Sequence, residues 1–482
     1  IDPRTKAAIY GGAGGNGEGG ALGGTQLGAA AQGGAGIVGS NLTIINSGTI
    51  SGGLSGDGTT RANSIQMGGN NNSLTLRAGS VLNGGVVAQG TGNKLFLEGT
   101  NTESDTFQGF SSINAASGSK WTLTGKFQPT GNLAVNVDGT GTTPAQLAMN
   151  GVISGTGSLT ADGGGTLALG ATNTYAGGTS IKNGTTVAAA SGKPFGIGGT
   201  LTLNGSATAV FGSTSENGTV RLDSGTTAVT SSAAVVVAGG TLQVADAARA
   251  GTIFSNVAST TVSSGATLDL NGYNVTVANL QGAGTLRTRT GNGAQTTTLQ
   301  SGNFSGSITG AGQLVKTTAG TLVLTGTNSY TGSTTISGGT LQLGDGGNTG
   351  SIDSTSSITN NAALVFNRSD AVSFTRAIGG TGSVTQSGSG TLTLSGASTY
   401  SGGTTVSGGT LQVAAASALG SGGLTMAGGK LAATSTMTFS KAVGFTAGTA
   451  STVAAAGNRT LTLAGSLSLG ANATATFGSS TQ

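Results

Sequence analysis

The chain has 482 residues, of which 94 are Gly, 79 Thr and 54 Ser, so these three types make up close to half of it. It carries 19 basic and 15 acidic residues, a net charge of +4, and neither His nor Cys. That excludes His-dependent catalytic groups, imidazole and thiolate metal sites, and disulfides. At 35% hydrophobic and 7% charged the chain is too apolar and too weakly charged for ordinary disorder. Collagen is excluded by the missing Gly-X-Y period and the four Pro, and so much Gly opposes helix. An all-β chain of short strands and tight turns remains.

Residues 1–36 read as a Gly/Ala-rich leader or loop, and 37–482 as one β-rich body. No run of apolar residues is long enough for a transmembrane helix. Beyond residue 37, segments such as Leu42-Thr43-Ile44-Ile45, Ser73-Leu74-Thr75-Leu76 and Lys94-Leu95-Phe96-Leu97 alternate with period two, the pattern of half-buried strands. Gly, Asn or Ser follows each within a few residues and supplies turn chemistry.

Residues 94–127 hold Phe96, Phe107, Phe110, Trp121 and Phe127 beside Lys94, Glu98, Lys120 and Lys126. Aromatics next to charges suit a sugar or protein contact, with Phe107, Phe110, Lys120 and Trp121 as its candidate residues. The competing reading is that the rings fill a wide coil or cap its end. Glu103 and Asp105, the one close carboxylate pair, read as a solvated turn. Arg287 and Arg289 read as solvated strand residues, too few for a nucleic-acid surface.

Three blocks, at 151–190, 306–345 and 376–415, repeat without gaps. Each carries Gly-Thr-Leu-x-Leu (165–169, 320–324, 390–394), then Tyr175, Tyr330 or Tyr400 inside an Asn/Ser-x-Tyr-x-Gly-x-Thr run. Leu322 and Leu341 lie 19 apart, as do Leu392 and Leu411, which suits one coil of a solenoid with about two coils per block. A coil this short cannot bury its own apolar face, whereas stacked coils can. The reading is a right-handed parallel β-helix, because crossovers between parallel strands are right-handed. Leu, Ile and Val point inward, Thr alternates outward, and the tyrosines stack or cap near a corner.

These blocks, clearest at 320–332 and 390–402, resemble the passenger-associated transport repeat of autotransporters, the type V secreted proteins of Gram-negative bacteria. The resemblance implies a β-helical passenger displayed on the bacterial cell surface or secreted. Its only membrane attachment would be a C-terminal β-barrel, absent from this sequence. The lack of Cys fits passage through an oxidising periplasm.

Enzymatic chemistry has little to stand on. The passenger proteases and esterases of that family depend on His. Carbohydrate-active β-helices need converging carboxylates, for which Asp246 and Asp269 on neighbouring coils are the remaining candidates. A Ser–Lys dyad through Lys120 and an ice-binding Thr array are weaker alternatives. The expectation is a non-enzymatic adhesin without cofactor or metal that aggregates cells by self-association with the same passenger on neighbouring cells. The alternatives are a stalk for another domain, an adhesin for a host glycan or matrix protein, and a carbohydrate-active β-helix.

Overall fold

A computed structural model describes residues 32–182, 184–189, 233–244, 254–289 and 295–480, together with the strands Ala8–Tyr10, Leu201–Leu203, Thr208–Phe211, Thr219–Leu222 and Thr227–Val229. Most of the Gly/Ala-rich leader and Asp246 lie outside the described residues. The described chain is all-β apart from one short 3-10 turn, Ala416–Leu419, and forms a parallel β-solenoid. It divides into two compact units, Ile1–Val236 and Val237–Gln482.

In the first unit each coil from Ile37 to Met149 contributes three short strands, one to each side, and the next three coils contribute two. One side stacks Thr43–Asn46, Ser73–Leu76, Lys94–Leu97, Ser112–Ala115, Leu133–Val137, Leu159–Asp162 and Thr179–Ile181 in parallel register. Along it Ile44, Leu74, Leu95, Ile113, Val135, Ala161 and Ile181 form one buried ladder. Alternation puts these side chains inside and sends Thr43, Thr75, Lys94 and Ser112 outward. Burying one such Leu or Ile is worth roughly 2 kcal/mol, and no single coil could collect that alone.

Corners are held by side chains as well as by backbone. Asn72 accepts the Leu42 amide at 2.7 Å and donates to Asn93 Oδ1 at 2.8 Å, and Asn93 donates to the Gly109 carbonyl at 3.1 Å. Both asparagines are fully buried. This ladder satisfies backbone groups where the strands turn away from one another.

In the second unit Leu242, Leu268, Leu286 and Ile308 stack on one side, and Leu322, Leu341, Leu364 and Val384 on another. The 19-residue spacing is therefore one coil, because Leu322 pairs with Leu341 and Leu392 with Leu411. Coil length is not constant. Twenty residues separate Gln146 from Thr166, 26 separate Lys120 from Gln146, and 32 separate Thr49 from Val81.

The second and third repeat blocks do not start on the same side. The strand Ile378–Gly379, first of the third block, stacks on Ile358–Asn360, which stacks on Thr334–Ile336, which stacks on Gln313–Lys316. Gln313–Lys316 is the second strand of its own block, after Ser307–Thr309. Between the two blocks the motif has moved round the solenoid by one side.

Candidate functional site

The aromatic cluster of residues 94–127 turns inward except for Phe96, which lies half-buried on the outward face of its strand. Phe107 and Phe127 occupy register partners on successive coils with ring centroids 6.0 Å apart, and Phe110 meets Phe107 edge-on at 6.1 Å. Phe107, Phe110 and Trp121 are each at most 1% exposed. The contact patch drawn from Phe107, Phe110, Lys120 and Trp121 is therefore corrected. Phe107 and Trp121 sit at inward positions of their strands and Phe110 turns in from the bend after Phe107–Gln108, so the three rings fill the coil and only Lys120 points outward. Trp121 brings an indole Nε1 into this core without a hydrogen-bond partner.

The Glu103–Asp105 pair is also not a solvated turn. Here the sheet holding Thr49–Ser51 and Val81–Asn83 ends, and a new one begins at Thr100–Glu103. Side chains bridge the break. Asn101 Nδ2 donates to the Ser80 carbonyl at 2.6 Å, Glu103 accepts the Leu82 amide at 3.2 Å, and Asp105 accepts the Gly84 amide at 3.1 Å. Positions 101 and 103 alternate along one strand face and Asp105 follows in the bend just past the strand, so the three reach the preceding coil side by side. Glu103 is 3% exposed, and burial pushes its carboxyl up to about 7, against the pull of the Asp105, Ser104 and Leu82 amides. Burial raises Asp105 too, opposed by the Gly84 amide, by Glu103 and by the charge of Arg61. A carboxyl near 7 has the acidity of a general acid, yet the Glu103 oxygens are committed to main-chain donors.

The repeated tyrosines form one structural device three times over. Tyr175, Tyr330 and Tyr400 are at most 2% exposed, and each hydroxyl lies 2.6 Å from the hydroxyl of the threonine four residues on, Thr179, Thr334 or Thr404. Two residues before each tyrosine, Asn173, Asn328 and Ser398 accept the amide of Ile153, Ile308 and Ile378 on the preceding coil, at 2.9, 2.9 and 3.1 Å. Burial raises all three phenols, Tyr400 to about 12. The motif closes a corner and offers no tyrosine to a partner.

Two lysines, one buried and one half-buried, also serve the turns. Lys316 is fully buried and donates to the carbonyls of Thr317, Thr318 and Gly338, the last two at 3.0 Å. Gln386, at the matching place of the third repeat, donates to Gly388 and Gly390 at 2.9 and 3.3 Å. Lys441 donates to the Leu419 carbonyl at 3.0 Å and to that of Gly420, closing the 3-10 turn. Burial lowers the pKa of both amines.

Asp269 is 5% exposed and is held by the Asn271 amide at 2.9 Å, Gln243 at 3.1 Å and Arg287 at 3.5 Å. Among the described residues, no three His, Cys, Asp or Glu gather where they could hold a metal.

The surface is a set of outward ranks. Thr241, Thr267, Thr285 and Ser307 lie in register on one side of the second unit, and Thr385, Thr405 and Thr425 on another. That second side is built by Thr321–Leu324, Thr340–Leu343, Ala363–Phe366, Ser383–Gln386, Thr404–Val406, Leu424–Met426, Val443–Phe445 and Leu467–Leu469, eight consecutive strands without a charged residue.

The passenger-associated-transport-repeat model matches residues 159–188, 314–343 and 384–413. No curated protein and no solved structure matches the chain. The chain carries three passenger-associated transport repeats, the signature of autotransporter passenger domains.

Proposed function

We propose that this chain is a non-enzymatic, cell-surface adhesin that joins bacteria by self-association of identical passengers on neighbouring cells. The repeats support placement at the cell surface or outside the cell. The observation that carries the adhesive reading is the uncharged side of the second unit. Its outward row runs Val323, Gln342, Val365, Thr385, Thr405, Thr425, Gly444 and Ser468. At ~4.8 Å per coil this row is about 34 Å long.

Two copies laid face to face along it meet no like charge, and the whole chain carries only +4. Each hydroxyl or amide contact is worth about 1 kcal/mol net. The rank lets several form at once, and many passengers on one cell multiply the effect through effective concentration.

Sedimentation velocity over a wide concentration range tests the proposal. The wild-type coefficient is expected to climb with concentration. In the double variant Thr385→Lys/Thr425→Lys it is expected to stay flat, because two cations two coils apart then face their own copies. A flat wild-type profile, or an unaltered climb in the variant, refutes the reading.

A further inference from the structure

We infer that a groove beneath Arg287 and Arg289 binds an acidic polysaccharide, through sulfate or carboxylate groups carried along the sugar chain. The groove is shallow and open, about 420 Å³ across three coils of the second unit. Arg287 and Arg289 form its upper edge, Thr309 and the Gly310 backbone the middle, and Ser329 and Thr331 the lower edge. This site is separate from the uncharged side proposed for self-association.

The backbone that carries the arginines is held in place, while the Arg287 side chain stays 42% exposed. Thr288 between them is 2% exposed, donates to the Thr309 carbonyl at 2.9 Å and accepts the Gly312 amide at 3.1 Å. This locks the backbone of both arginines onto the next coil. Gly310, at φ +104°, lets that coil approach so closely, since a Cβ there would lie 2.4 Å from the Arg289 carbonyl oxygen. The buried Asp269 carboxylate sits 3.5 Å from Arg287 Nη1 and steadies one arm of that guanidinium. Arg289 Nη1 is likewise steadied by the side-chain oxygen of Gln295. Each guanidinium has five donors, so both keep a face for a ligand.

The side-chain hydroxyls of Thr309, Ser329 and Thr331 hydrogen-bond to no described residue, and they stand along the same trough. Two fixed forks match planar carboxylates and sulfates, and hydroxyls below them match sugar hydroxyls. The trough has no aromatic ring on which a nucleobase could stack. Ala311 is its only apolar side chain, too little to anchor a peptide. Three coils span about 10 Å between the first and last, enough for a length of sugar chain rather than one small ion.

The third repeat supplies an internal comparison. There Thr359 pairs with Gly379 as Arg287 pairs with Thr309, and Asn361 takes the place of Arg289. The solenoid thus accepts this shelf with neutral residues, and the arginines are additions to it.

The test measures binding of dextran sulfate, polygalacturonate and neutral dextran to the full chain, with Arg287→Thr/Arg289→Asn as the variant. That pair copies the neutral shelf; because Arg287 faces the buried Asp269 carboxylate, Arg289→Asn alone, which keeps that contact, is the second variant. The wild type should bind at least one of the charged polymers, more weakly as salt rises, and not neutral dextran. The variant should bind about tenfold or more weakly. Equal binding by the variant, no charged-polymer binding by the wild type, or tighter binding of single-stranded DNA than of either polysaccharide overturns the inference. Repeating the measurement on Thr385→Lys/Thr425→Lys separates the two proposals. Loss of self-association with polysaccharide binding intact supports both, and a flat wild-type sedimentation profile leaves the groove standing alone.

Discussion

Glu103 gives the stitch between two coils a pH dependence whose sign and size follow from its burial. Its carboxyl moves from the ordinary 4.5 to about 7 in the folded chain, chiefly by desolvation. The folded state therefore holds the proton more tightly than the unfolded chain. This contribution to stability is fully present below about pH 4.5 and is lost as pH rises through about 7. At 1.36 kcal/mol per pKa unit the loss is about 3 kcal/mol. The charged neighbours are Asp105, whose own raised pKa acts in the same direction at lower pH, and Arg61.

Native-state hydrogen exchange at the Leu82 and Gly84 amides, corrected for intrinsic rates, reads the local opening of this stitch. Protection is expected to fall about a hundredfold between pH 5 and pH 8 in the wild type. In Glu103→Gln the amide oxygen can still accept from Leu82, and the slope should largely vanish. Flat protection in the wild type, or an equal slope in the variant, refutes the reasoning.

The tyrosine motif predicts unequal losses from equal substitutions. In Tyr330→Phe, Thr334 keeps a second hydroxyl partner, Thr355, at 2.9 Å, so the cost should be about 1 kcal/mol. In Tyr400→Phe, the Thr404 hydroxyl loses the one side-chain bond it makes, while 2% exposed, and the cost should approach about 2–3 kcal/mol. Exchange protection of the flanking strands Thr334–Ile336 and Thr404–Val406 reads both, and the reverse order counts against the account. Lys316→Gln should stay within about 1 kcal/mol of wild type, as Gln386 already caps the matching turn. Lys316→Leu should lose about 1–3 kcal/mol by leaving carbonyls unpaired. Urea midpoints compare them, and equal destabilisation by both substitutions defeats the capping explanation.

The solenoid was legible because its signals are local and recur. Period-two alternation placed Leu74, Leu95 and Leu322 inside, and the 19-residue spacing of Leu392 and Leu411 was a true coil. The functional surface was less legible, because whether a polar or aromatic residue faces in or out depends on its coil partner. Phe107 and Trp121 beside lysines read as a patch until the register placed them opposite Phe127 and Leu147. Glu103 and Asp105 looked solvated because nothing local marks a sheet break. The signal lay 20 residues downstream, where Trp121 and Leu123 share the inward parity of Asn101 and Glu103. The asparagine ladder of Asn72 and Asn93 leaves no local mark for the same reason, its partners lying 21 residues apart.

The sideways step between the second and third repeats bears on how such a chain can change over generations. Ile308 and Ile378 are 70 residues apart, which is three coils and one further side. A duplication or deletion of that length keeps every strand in phase with its neighbours, so the fold tolerates it. Yet it turns everything downstream by a third of a revolution. Copy number then acts as a dial that sets which flank faces an approaching surface, and a lineage could re-aim its distal ranks without altering a single residue in them.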